Sequence, residues 1–150
     1  MQPTPSSSPD AAVLLIPNQR EEIERAESLL LAAMERQAYP DAARFAVRLA
    51  LEESLVNAFR HGHKGLPGDT PARVEFAVTP STVELAVEDQ GPGFTPGDVP
   101  DPTLDENLER PTGRGLLLMR AYMARVEYVG RGNRVEMTYK RPAARGQEQV

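Results

Sequence analysis

The sequence predicts an α+β fold: a two-layer α/β sandwich, its sheet mixed but mostly antiparallel, with the helices on one face. Two alternating segments, Val74/Phe76/Val78 and Val83/Leu85/Val87, are separated by only Thr79-Pro80-Ser81, and so short a link forces antiparallel neighbours. A second such pair, about 125–130 and 134–140, is joined by the turn Gly130-Arg131-Gly132-Asn133. Two helical patterns follow one another before the first hairpin. Strict strand–helix alternation is thereby absent, which excludes a doubly wound parallel sheet. The expected order is β-α-α-β-β-loop-α-β-β.

Each element has its own signal. Residues 1–10 are rich in proline and serine and read as a disordered tail. Ala11-Ala12-Val13-Leu14-Leu15-Ile16 is a short apolar run stopped by Pro17-Asn18, and reads as a strand. From about 19 to 37, Ile23, Ala26, Leu30, Ala33 and Met34 recur at helical spacing with charges opposite. Tyr39-Pro40-Asp41 ends that helix and opens another, about 41 to 61. Phe45, Leu49, Leu51, Leu55, Val56 and Phe59 spread around this second helix, so it should be covered on more than one side. Gly62, Gly65 and Pro67-Gly68 terminate it. After the first hairpin comes a segment to about 112 with four prolines and five acids, a length and composition typical of lids. Gly113-Arg114-Gly115 opens a third helix, Leu116 to about Ala124. In the last strand Val135, Met137 and Tyr139 are in phase. One domain over 11–140 with a flexible tail over 141–150 is the expected organisation.

Bulk composition narrows the function classes. A chain of 150 residues with 40% hydrophobic content suits one domain with a real core. Without cysteine there is no disulfide, thiolate metal site or thiol nucleophile. The first residues carry neither the basic nor the apolar region of a signal peptide, and no apolar run approaches the roughly 18 residues of a membrane span. A net charge of −5 argues against direct nucleic-acid binding. A cytoplasmic protein with no membrane association is the expectation.

Three constellations carry chemistry. Glu53, Asn57 and His61 are spaced by four on the second helix and would share one face. The Asn57 amide oxygen is a hard neutral ligand suited to Mg²⁺ held by phosphates, and Glu53 one turn earlier could take a proton from an attacking hydroxyl. The plainer alternative is a solvated polar stripe, with Glu52 paired to Arg48 at i−4 and with Arg60, His63 and Lys64 in water. In Asp89-Gln90-Gly91-Pro92-Gly93-Phe94, the strand phase turns Asp89 inward, where its carboxylate could accept from an exocyclic amine such as that of adenine. Gly91 and Gly93 would let the backbone approach a flat base. The same string also reads as a strand-ending turn. In Thr112-Gly113-Arg114-Gly115-Leu116, glycines at a helix start expose N–H groups to a phosphate, with Arg110 and Arg114 beside them. There Thr112 could equally be a simple N-cap, and the Walker A pattern is absent.

Taken in order, ExxxNAxxHG on a helix, DxGxGF after a strand, a long lid and GxGL at a helix start resemble the N, G1 and G2 boxes of the GHKL (Bergerat-fold) ATP-binding superfamily. The likeness covers about residues 11–140. The small single domain, and the phrase from Asn107 to Met119, are similar to the anti-sigma factor serine/threonine kinases. This resemblance implies ATP and Mg²⁺ as ligands. Asn57 would coordinate the metal, Asp89 would read adenine with Gly91 and Gly93 shaping its pocket, and Gly113 and Gly115, flanked by Arg110 and Arg114, would wrap the phosphates. Glu53 would be the general base. It further implies a sigma factor and an anti-anti-sigma (STAS-type) protein as partners, and a homodimer. Ala124 after Met123, and Gly132-Asn133 in the last turn, depart from the residues common in that group. An ATP-binding interaction module with little or no kinase activity, a histidine-kinase catalytic fragment and an unrelated α+β domain are the competing readings.

Overall fold

The computed structural model describes residues 10–92, 120–130 and 132–142. Five strands form one open sheet: β1 (Ala11–Ile16), β2 (Ala72–Val78), β3 (Thr82–Glu88), β4 (Arg125–Val129) and β5 (Arg134–Lys140). Their spatial order is β1-β2-β3-β5-β4, and every pairing is antiparallel. Among the described residues the sheet is therefore antiparallel throughout rather than mixed. α1 (Arg20–Arg36) and α2 (Asp41–Asn57) lie on one face, with α1 against β1 and β2 and α2 against β3. Both tails and the lid from 93 to 112 fall outside the described residues, apart from Asp10 and residues 141–142. Of the third helix, only residues 120–122 are described as helical.

Alternation decides which residues meet the helices. Val74 pairs with Val87 and Phe76 with Leu85, while Leu85 pairs with Met137 and Val87 with Val135. All six are buried, and they pack with Ile23, Ala26, Leu30, Met34, Val47, Leu51 and Leu55 from the helices. The opposite face carries charge. Arg134 bridges Glu75, Glu88 and Glu136 at 2.9 to 3.2 Å, and Arg125 pairs with Glu127 and Glu136. A sheet with one apolar and one ionic face requires a single helical layer, as found.

The junction between the helices is tight. Ala38 takes a positive φ of 61°, and Tyr39 N–H returns to the Met34 carbonyl at 3.0 Å. Tyr39 is buried, its hydroxyl donates to the Thr79 carbonyl at 2.9 Å, and Arg141 stacks 4.0 Å from its ring centre. The helix hairpin is thus pinned to the β2–β3 turn.

α2 differs from expectation in two ways. Phe45 is 61% exposed rather than covered, and its ring meets that of Tyr122 edge-on at 6.3 Å. The buried stripe runs instead through the small residues Ala43, Ala46 and Ala50 with Val47, Leu51, Ser54 and Leu55. Small side chains let the helix sit close to the sheet, which turns the bulky Phe45 outward. Secondly, the helix widens into a π-helical turn, Ala58–Gly62, closed by His63 N–H to the Ala58 carbonyl at 2.8 Å. Such turns are rare and concentrate at functional sites.

Candidate functional site

The site is built where the π turn meets the end of β3. Gly62 lies directly against Asp89, and a Cβ there would overlap the carboxylate. Gly91 lies against Gly62 itself, where a Cβ would overlap the Gly62 carbonyl. Two glycines facing each other bring helix end and strand end closer than any side chain would permit. Asp89 is half-buried there, its Oδ1 accepting the Gly91 N–H at 2.8 Å. Asn133 grips the same residue from the β4–β5 turn: Asp89 N–H donates to the Asn133 carbonyl, and Asn133 Nδ2 donates to the Asp89 carbonyl, both at 2.8 Å.

Asn57 is the last residue of α2 before the turn. Among the described residues nothing donates to its Oδ1, which is buried. A dry amide oxygen without a partner costs about 1–3 kcal/mol. A hard divalent cation would satisfy it. The donor chemistry therefore fits Mg²⁺ held by one amide oxygen and by phosphates.

Glu53, one turn before Asn57, is half-buried. Burial, reinforced by the adjacent Glu52 carboxylate, pushes its pKa up, while Arg60 pulls it down. A carboxylate of raised basicity beside a metal-ready amide is suited to accepting a proton.

The surroundings correct two expectations, for His63 and for Glu52. His61, third in the Glu53–Asn57 spacing, is exposed. His63 is the buried imidazole instead, 8% exposed rather than solvated, with Nε2 accepting the Gln90 N–H at 2.9 Å. Glu52 pairs with Arg20 at 3.0 Å, whereas Arg48 meets Glu27 at 3.4 Å. Arg60 and Lys64 are exposed as expected. Gly93, Arg110, Gly113, Arg114 and Gly115 lie outside the described residues.

Gly62, His63 and Asn133 were not singled out as site residues from the sequence. Gly62 had a signal in hindsight, because a glycine closing a polar helix stripe can serve a close approach as well as a helix end. Nothing in the sequence distinguished the buried His63 from the exposed His61.

A family model for the histidine kinase-like ATPase domain matches residues 16–139. The chain belongs to that family. It is therefore an ATP-binding domain of the GHKL superfamily, and its open five-stranded sheet under helices is the Bergerat architecture. A search of curated proteins finds no match. In this ATPase-domain protein, no helix among the described residues is long and apolar enough to cross a membrane.

Proposed function

We propose that this ATPase-domain protein is an ATP-dependent serine/threonine protein kinase that acts as an anti-sigma regulatory factor. The observation that carries the reading is the pair on α2: a half-buried Glu53 of raised pKa, one turn before an Asn57 whose buried amide oxygen has no donor among the described residues.

In this reading Asn57 would hold Mg²⁺, and Asp89 would accept from the adenine amino group of ATP. The ion, when bound, neutralises phosphate charge, and little else is asked of the protein beyond positioning. Glu53 takes the Oγ proton of an incoming serine or threonine as the bond from Oγ to the γ-phosphorus forms. The bond from that phosphorus to the β,γ-bridging oxygen breaks, and ADP leaves. By the resemblance of the boxes, Gly93, Gly113 and Gly115, with Arg110 and Arg114, would supply the rest of the nucleotide contacts.

The partners proposed, a sigma factor and a STAS-type anti-anti-sigma acceptor, rest on the likeness of the small single domain and of residues 107–119 to that kinase group, whose members are commonly homodimers. The test is transfer from Mg-ATP to a STAS-type protein. Asn57→Ala should lose Mg-dependent ATP binding, whereas Glu53→Ala should bind ATP and lose transfer by about 10²-fold or more. Tight ATP binding with no transfer by the wild type would establish the interaction module instead. Transfer at the native rate by Glu53→Ala would remove that residue from its role.

A further inference from the structure

We propose that His63 is a positioning residue of the nucleotide site, holding the Asp89–Gly91 segment in place through the Gln90 amide. The proposal rests on Asp89 as the adenine reader. The β3 ladder ends near this point: Glu88 opposite Arg134 is its last paired position, and Asp89 N–H makes one more bond to Asn133. Gln90 lies beyond the sheet. What holds its N–H is Nε2 of His63, at 2.9 Å.

The imidazole is itself fixed. It is buried, and Phe59 meets it edge-on with ring centres 5.6 Å apart. Acceptance at Nε2 assigns the ring proton to Nδ1 in the neutral form. The chain either side of the Asp89 side chain is thus clamped from two directions, by Asn133 on β5's side and by His63 from the end of the π turn. The Gly91 N–H closes onto the carboxylate from within the same segment. If the Gln90 bond is lost, the Asp89–Gln90 peptide keeps only the bond from Asn133 Nδ2 to its carbonyl, and the carboxylate's backbone is held from one side instead of two. One hydrogen bond of this kind contributes about 5- to 10-fold to an affinity that depends on it.

An acceptor-for-packing comparison separates positioning from filling space. His63→Gln keeps an acceptor, whereas His63→Met has the same length with only a weak thioether acceptor, and His63→Leu serves if the methionine variant does not fold. Two quantities are measured on the full chain: hydrogen exchange at the Gln90 amide without nucleotide, and ATP affinity by calorimetry. His63→Met should exchange Gln90 at least about 5-fold faster and bind ATP about 5- to 10-fold more weakly. His63→Gln should stay within about 2-fold of wild type in both. Unchanged Gln90 exchange in the methionine variant, or equal losses in both variants, overturns the proposal. Faster exchange with unchanged ATP affinity overturns the positioning role alone. A wild-type chain that binds no ATP overturns the nucleotide reading itself.

Discussion

Replacing Gly62 by alanine adds one methyl group at the closest approach between helix end and strand end. That methyl overlaps the Asp89 Cγ and both carboxylate oxygens, and Asp89 must retreat by about 1 Å to reach ordinary contact at 3.4 Å. Gly62 has no positive φ, so the backbone accepts alanine without strain. The displaced carboxylate loses its bond to the Gly91 N–H, a cost of about 1 kcal/mol, and alanine at a helical position recovers up to about 1 kcal/mol. Folding stability should consequently change little. Nucleotide binding should not be spared, because a bond from adenine to a carboxylate contributes about 1.5–3 kcal/mol and does not survive a 1 Å shift. ATP affinity should fall about 10- to 100-fold, with a melting temperature within a few degrees of wild type. Titration calorimetry with ATP, alongside thermal melting, reads both. If Gly62→Ala binds ATP within about 2-fold of wild type, Asp89 is not the adenine reader in this geometry.

Further expected outcomes concern stability. Glu27 is 3% exposed, and burial plus the neighbouring Glu52 raise its pKa to about 7, against the pull of Arg48 and Arg20. Its folded pKa lies above the ordinary 4.5, so the unfolded chain releases its proton first as pH rises, and stability should fall between about pH 4.5 and 7. Glu27→Gln should flatten that slope in denaturant melts at several pH values. Glu75 shows the opposite sign. Arg134 above all, with Arg73, lowers its pKa from 4.5 to about 2, so the stability it contributes is present above pH 4.5 and lost as pH falls toward 2. Arg134→Met should unfold at higher pH than wild type in an acid titration followed by circular dichroism, because Glu75, Glu88 and Glu136 lose a common partner. Ala38→Gly should raise stability by about 0.5–1 kcal/mol in chemical denaturation, since glycine takes the left-handed conformation at φ 61° without a Cβ clash.

Much of the fold was legible because its signals are periodic and local. The strand bounds of β1 and β5 and the helix over 20–36 fall where alternation and helical spacing place them. The hairpin links allowed only antiparallel neighbours, and the order of the three boxes carried the family. The position of β5 between β3 and β4 was not legible, because the connection from β3 to β4 is long and any edge remained open to it. Glu53, Asn57 and Asp89 were read as a site from spacing and phase. The Asn57 oxygen, buried with no donor among the described residues, and the raised Glu53 pKa emerge only when neighbours are in place.

By itself, then, the sequence determined the α+β class, the family and the residue types available for holding a nucleotide. Tertiary structure decided which of them meet. His63, not His61, is the buried imidazole, and two glycines 29 positions apart in the chain closed the helix end onto Asp89. Asn133, at the turn into β5, clasped Asp89 because that strand pairs with β3. The physical reason is one of range. Periodicity constrains residues within a few positions of one another, whereas burial, close approach and hydrogen-bond satisfaction depend on distant segments that only packing brings together.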